Sequence, residues 1–296
     1  MLTTLRLPRL EKLPVVGTRR RSPLAPLAAT GRPQVVAHRG ASSALAEHTL
    51  GAYRQAMQDG ADALECDVRL TADGHLVCVH DRRIDRTSNG RGSVSTLPLD
   101  RLAKLDWSSW KQPWSELDDE AGDERPDGAI LTLERLLDTV HDWGRPIDIA
   151  IETKHPTRHA GLVERRLIEL LDRYGWARPR RGTVSPARMM SFSWISLRRC
   201  LELAPALDMV YLMERVPIRL RDGSLPLGTR ITGPAIEIIR SHPEYVAKAH
   251  AAGQQVHVWT VNDPVDLALC AQLGVDAVIT DDPSGALGIL NATSAH

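Results

Sequence analysis

The chain has 296 residues, 43% of them hydrophobic and 25% charged, which is enough apolar side chain to fill the core of one large α/β barrel. Lys plus Arg and Asp plus Glu number 37 each, so no global positive charge exists to collect phosphate backbones, and nucleic acid is excluded as the expected partner. No run reaches the roughly 20 apolar residues of a membrane-spanning helix, so a soluble protein without a stable membrane anchor is expected.

Residues 1–33 are rich in Arg and Pro and contain one acid, Glu11. Arg19, Arg20 and Arg21 stand together, but Pro23 and Pro26 break the short stretch behind them, so the segment reads as a flexible N-terminal tail and not as an export signal. Cys66, Cys78, Cys200 and Cys270 form no C-x-x-C pair and read as buried thiols of a reducing, cytoplasmic setting.

From residue 34 to 296 short apolar runs alternate with amphipathic stretches, as expected for parallel strands buried on both faces and joined by helices. Strands are predicted at Gln34–Gly40, Ala63–Leu70, His75–Asp81, Ile147–Lys154, Arg188–Trp194, Asp208–Glu214, Arg230–Ile236, Gln255–Asn262 and Ala277–Asp281. Helices are predicted at Thr49–Gln58, Leu131–Trp143, His159–Tyr174, Trp194–Leu203, Pro243–Ala252 and Pro264–Leu273, the last two starting on Pro just after a potential cap. Only Thr71-Ala72-Asp73-Gly74 separates the second and third strands, too little for a parallel crossover, so they form an antiparallel hairpin. Residues 82 to about 128 fit no β/α unit and carry Trp107, Trp110 and Trp114, so they read as an insertion over the barrel mouth.

Polar residues gather at the C-terminal ends of the strands, where barrel enzymes build their sites. The first strand ends in His38-Arg39-Gly40, which directs an imidazole and a guanidinium at a cleft while Gly40 permits a tight departure. Glu65 and Asp67, at i and i+2, share one strand face. A four-residue loop over Thr71–Gly74 would set Glu65 opposite His80 and Asp67 opposite Cys78, joining His80 to that face; a three-residue loop would send it to the other. Two carboxylates on a buried strand repel unless a cation lies between them or Arg39, Arg69 or Lys154 pairs with them. Glu152-Thr153-Lys154 then adds a third acid, and three carboxylates make a hard oxygen site for Mg²⁺ or Ca²⁺, leaving Lys154 and Arg39 for an anionic phosphate. Trp259, late in the chain, could wall the substrate pocket.

Taken in order, His38-Arg39-Gly40, Glu47-His48-Thr49, Glu65-Cys66-Asp67-Val68, His80-Asp81, Glu152-Thr153-Lys154 and Trp259-Thr260-Val261-Asn262 resemble the glycerophosphodiester phosphodiesterase family from about Gln34 to Asp282. The resemblance implies a (β/α)₈ TIM barrel with a small insertion after His80-Asp81. It also implies metal-dependent hydrolysis of a small-molecule glycerophosphodiester to glycerol 3-phosphate and an alcohol. The implied roles are catalysis for His38 and His80, metal binding for Glu65, Asp67 and Glu152, and phosphate contact for Arg39 and Lys154, with Glu47 completing or buttressing the metal site. One position departs: relatives usually carry Glu-Asn-Thr where this chain has Glu47-His48-Thr49, and an imidazole offers different hydrogen-bond geometry from an amide. Two other readings stay open, a lysophospholipase D or phospholipase C type of activity on a lipid, and a catalytically silent barrel that binds phosphorylated ligands.

Overall fold

A computed structural model of the chain describes residues 31–111, 128–155, 161–226 and 228–294. Most of the predicted tail, Trp114 and the predicted start of a helix at His159 lie outside the described residues.

All nine predicted strands form: β1 (Gln34–His38), β2 (Ala63–Leu70), β3 (Leu76–Cys78), β4 (Asp148–Thr153), β5 (Ala187–Ser191), β6 (Asp208–Met213), β7 (Ile231–Pro234), β8 (Gln255–Val258) and β9 (Ala277–Thr280). Eight are parallel in the order β1-β9-β8-β7-β6-β5-β4-β2, and pairing of β1 with β2 closes the barrel. The ninth, β3, hangs antiparallel from β2. Alternation along β2 shows how the sequence divides the layers. Leu64, Cys66, Val68 and Leu70 join the helix-facing core, while Ala63 joins the interior and Glu65, Asp67 and Arg69 follow it up the same face.

The helices are α1 (Leu50–Gln58), α2 (Leu99–Leu102), α3 (Leu133–His141), α4 (Leu162–Arg173), α5 (Trp194–Leu203), α6 (Ile236–Ser241), α7 (Glu244–Ala251), α8 (Pro264–Gln272) and α9 (Pro283–Ser294). In α3 the buried residues Leu133, Leu136, Leu137 and Val140 recur at helical spacing, and the Thr132 side chain caps the first turn by accepting from Arg135 N. Asp263 caps α8 with Pro264 behind it, as predicted, whereas Pro243 itself occupies the cap position of α7 and gives no side-chain cap. Helix α6 went unpredicted because its first residue, Ile236, continues the apolar run of β7. Pro234, which has no N–H to give the ladder, ends that strand.

The hairpin differs from the four-residue expectation. Val68 faces Cys78, Arg69 faces Val77 and Leu70 faces Leu76, while Thr71 N donates to His75 O at 2.9 Å. The loop is therefore Ala72-Asp73-Gly74, three residues with Gly74 at φ 87°, and Glu65 does not face His80. This odd loop would put residue 80 on the Cys66 face, away from the carboxylates, if the strand continued; β3 ends at Cys78 and frees the chain to turn.

Within the insertion, Ile84, Val94, Leu102 and Trp107 form a small core with Val77 and Val79. Trp107 is thus packing for the insertion itself, while Trp110 lies beneath Arg86 at 6.0 Å. Lys111 Nζ donates to Ser42 O at 3.0 Å and ties this segment to the loop after β1.

That loop owes its course to Gly40, at φ 88°, where a Cβ would lie 2.6 Å from the backbone carbon of Ala52 in α1. Gly40→Ala is expected to cost about 2–4 kcal/mol in a denaturant titration, since both the backbone conformation and the contact oppose a side chain. An unchanged midpoint would show that α1 gives way freely.

Candidate active site

Barrel closure sets the carboxylates side by side. Register pairs His38 with Glu65 and Asp67 with Glu152 on neighbouring parallel strands, whose backbones run about 4.8 Å apart. Glu65, Asp67 and Glu152 are all buried, and each offers an oxygen within 4.8 Å of the others'. Burial, then the charge of Asp67, pushes Glu65 well above the usual carboxylate range and Glu152 up to about 8. Asp67 stays well below it: burial works against its charge, but the His48 hydrogen bond and the charges of Lys154 and Arg39 prevail.

The two cations predicted to hold phosphate engage the acids. Lys154 Nζ lies 2.8 Å from Glu152 and 3.0 Å from Asp67, and Arg39 Nε lies 3.1 Å from Asp67. The pairing alternative weighed for Asp67 is therefore real for Arg39 and Lys154, whereas Arg69 turns elsewhere. Two of the three carboxyls are nevertheless pushed up, first by burial and then by the charge of Asp67. An all-oxygen set of this kind fits a hard divalent cation.

Each predicted catalytic histidine has a carboxylate on Nδ1. His38 Nδ1 is 2.6 Å from Asp281 Oδ1, and Asp281 also accepts from Ser42 Oγ and Asn262 Nδ2. Burial opposes the charge on Asp281, yet these partners hold it at about 2. His80 Nδ1 is 2.7 Å from Asp81, and burial, with the charges of Lys154 and Arg39, lowers His80 to about 4 against the pull of Asp67. His80 thus reaches the field of the carboxylates and their cations despite the hairpin register.

Glu47 stands outside the acidic trio and buttresses the mouth. Arg86 grips both of its oxygens at 2.8 Å, and Arg39 Nη1 reaches it at 3.1 Å. Burial raises its carboxyl, but Arg86 and Arg39 overcome that and hold it at about 2. Arg86 Nε also donates to Asp81 at 2.6 Å, which joins the insertion, the His80 turn and the β1 loop.

His48 answers the question raised by its position. It is buried at φ 61°, with Nε2 2.9 Å from Asp67 Oδ2 and Nδ1 2.8 Å from the Tyr53 hydroxyl, which donates to Glu65 O at 3.0 Å. An imidazole can therefore hold the Asp67 carboxylate, and it borrows α1 for support. Trp259 donates from Nε1 to Gly233 O at 2.7 Å and meets Phe192 edge to face at 5.3 Å, forming an apolar wall at the strand ends.

Sequence reasoning missed Asp281, Arg86, Phe192 and the Tyr53 support. Asp281 carried a usable signal, an acid at the C-terminal end of a predicted strand like Glu152. Arg86 and Tyr53 carried none, because only the packing of the insertion and of α1 brings them in.

A family model described as the glycerophosphoryl diester phosphodiesterase family matches residues 38–284. A probable glycerophosphodiester phosphodiesterase 1 of Mycobacterium tuberculosis is 43% identical over 258 residues, covering 86% of this chain and 90% of that protein. A glycerophosphodiester phosphodiesterase of Caldanaerobacter subterraneus is 31% identical over 257 residues, covering 86% and 97% respectively. Among solved structures, an Oleispira antarctica phosphodiesterase in complex with the product sn-glycerol-3-phosphate superposes with a TM-score of 0.72 at 26% identity, covering 88% of this chain and 97% of that one.

Proposed function

The chain belongs to the glycerophosphoryl diester phosphodiesterase family and is a phosphoric diester hydrolase on a TIM barrel, and from that premise we propose that its hydrolysis of glycerophosphodiesters depends on a divalent cation and on His38 and His80. The observation that carries the proposal is the buried trio Glu65, Asp67 and Glu152, together with two histidines that each have a carboxylate at Nδ1.

Glu65, Asp67 and Glu152 would hold Mg²⁺ or Ca²⁺, which supplies Lewis-acid polarisation of a phosphoryl oxygen. Arg39 and Lys154 stand beside these acids as the cations to take the phosphate's remaining charge. Lowered to about 4, His80 is neutral at pH 7, so its Nε2 can take a proton from the attacking water, whose oxygen makes the new bond to phosphorus. As the new P–O bond forms and the bond to the alcohol breaks, His38 gives its proton to the departing alkoxide. Asp281, on Nδ1, holds that ring with Nε2 toward the site. The products are glycerol 3-phosphate and an alcohol such as choline or ethanolamine, and the Trp259–Phe192 wall would line the organic part of the substrate.

A panel of glycerophosphodiesters assayed with and without Mg²⁺ or Ca²⁺, set against lysophosphatidylcholine, tests this reading. Metal-dependent release of glycerol 3-phosphate is expected, and preference for the lipid would replace the substrate class. The reading as a silent barrel is opposed by the joint presence of both histidines and the acidic trio; no turnover of any diester would restore it. Asp281→Asn is expected to lower kcat by about 100-fold with little change in KM, because the charge that supports the His38 proton goes while the shape stays. Among the described residues no helix is long and apolar enough to cross a membrane. The four cysteines are free and buried.

A further inference from the structure

We propose that Arg69 is the residue that positions His80, and the proposal rests on the reading of His80 as a catalytic base. The hairpin cannot do this by itself. Strand β3 stops at Cys78, and its register would turn residue 80 toward Cys66 and away from Asp67. Something beyond the ladder must therefore draw the chain back over the carboxylates.

Arg69 is placed to do so. It follows Glu65 and Asp67 on the inward face of β2, and its Nε and Nη2 both donate to the His80 carbonyl oxygen, at 2.9 and 2.7 Å. Asp81 holds Nδ1 of the same residue at 2.7 Å, so the His80 backbone and ring are each fixed and Nε2 is left for chemistry. The guanidinium also lies within the electrostatic reach of Asp67, Asp81 and Glu152. Burial works against this half-buried cation and lowers its pKa, while the three carboxylates pull the other way. A planar fork converging on one oxygen restrains direction as well as distance, which a lysine ammonium does not. A catalytic group displaced by about 1 Å loses on the order of 100-fold in rate, so a clamp on the backbone acts on kcat.

The test uses the full chain at saturating Mg²⁺ with glycerophosphocholine, comparing Arg69→Gln, Arg69→Lys, His80→Ala and the double variant Arg69→Gln/His80→Ala. Both Arg69 variants are expected to lose roughly 30- to 100-fold in kcat while KM stays within about threefold. In the His80→Ala background the Arg69→Gln change is expected to cost almost nothing more, since its target is gone. Wild-type activity in Arg69→Lys would overturn the clamp, as would an equal loss from Arg69→Gln whether or not His80 is present. Loss of Mg²⁺ affinity by calorimetry in Arg69→Lys would overturn it too, by tracing the effect to the carboxylates. Full activity of His80→Ala would instead sink the assignment of His80 itself, a separate failure that the same set of proteins identifies.

Discussion

Removal of either imidazole, by His38→Ala or His80→Ala, is expected to lower kcat on glycerophosphocholine by about a thousandfold, the usual worth of a placed general acid or base. The two losses should differ in kind. A phosphodiester with a p-nitrophenolate leaving group departs without protonation, so it should restore most of the lost rate to His38→Ala and little to His80→Ala. The reverse pattern would exchange the two roles. The pH dependence carries a sign as well. His80 is lowered to about 4 chiefly by burial, so it stays neutral through the physiological range. With Mg²⁺ kept saturating at every pH, the acid limb of kcat/KM should therefore lie well below the ordinary histidine value, and an acid limb near pH 6.5 under that condition would show that His80 is not the base.

Chelation of divalent cations is the second large effect: activity should fall at least about a thousandfold with excess EDTA and return on adding Mg²⁺ or Ca²⁺. Asp67→Asn should not be rescued at the same metal concentrations, because Asp67 is the acid of the trio held well below the usual carboxylate range, whereas burial pushes Glu65 and Glu152 up. That division predicts how affinity follows pH. With Glu152 held up to about 8, a cation binding below that pH must expel its proton, so affinity rises with pH toward 8 and flattens above it. Calorimetry in buffers of different ionisation heat should register proton release at pH 7. Affinity independent of pH between 6 and 8 would mean that the cation displaces no proton from Glu152 in that range.

Much of the site was legible because barrel enzymes place polar residues at strand ends, and strand ends can be read from where apolar runs stop. His38 and Glu152 declared themselves in this way, and Asp281 could have done so; Glu65 and Asp67 showed instead through their i, i+2 spacing on one strand face. His80 is the instructive case: it was assigned to the site through an even-numbered hairpin loop, whereas the loop is odd. It reaches the site because the strand ends early and Arg69 holds its carbonyl. Turn length within Thr71–His75 depends on whether Thr71 N pairs with His75 O, a choice that the local residues permit in more than one form.

The sequence alone determined the alternation of strands and helices, the shared face of Glu65 and Asp67 and the chemical character of the donor set, since all three follow from periodicity and side-chain type. Tertiary structure alone decided the partnerships. Closing β1 onto β2 and β9 brought Asp281 to His38 across 243 positions. Docking of the insertion brought Arg86 to Glu47, and packing of α1 brought Tyr53 under His48. These contacts join segments remote in sequence, and no local pattern encodes which of several cations an acid will meet once the barrel closes.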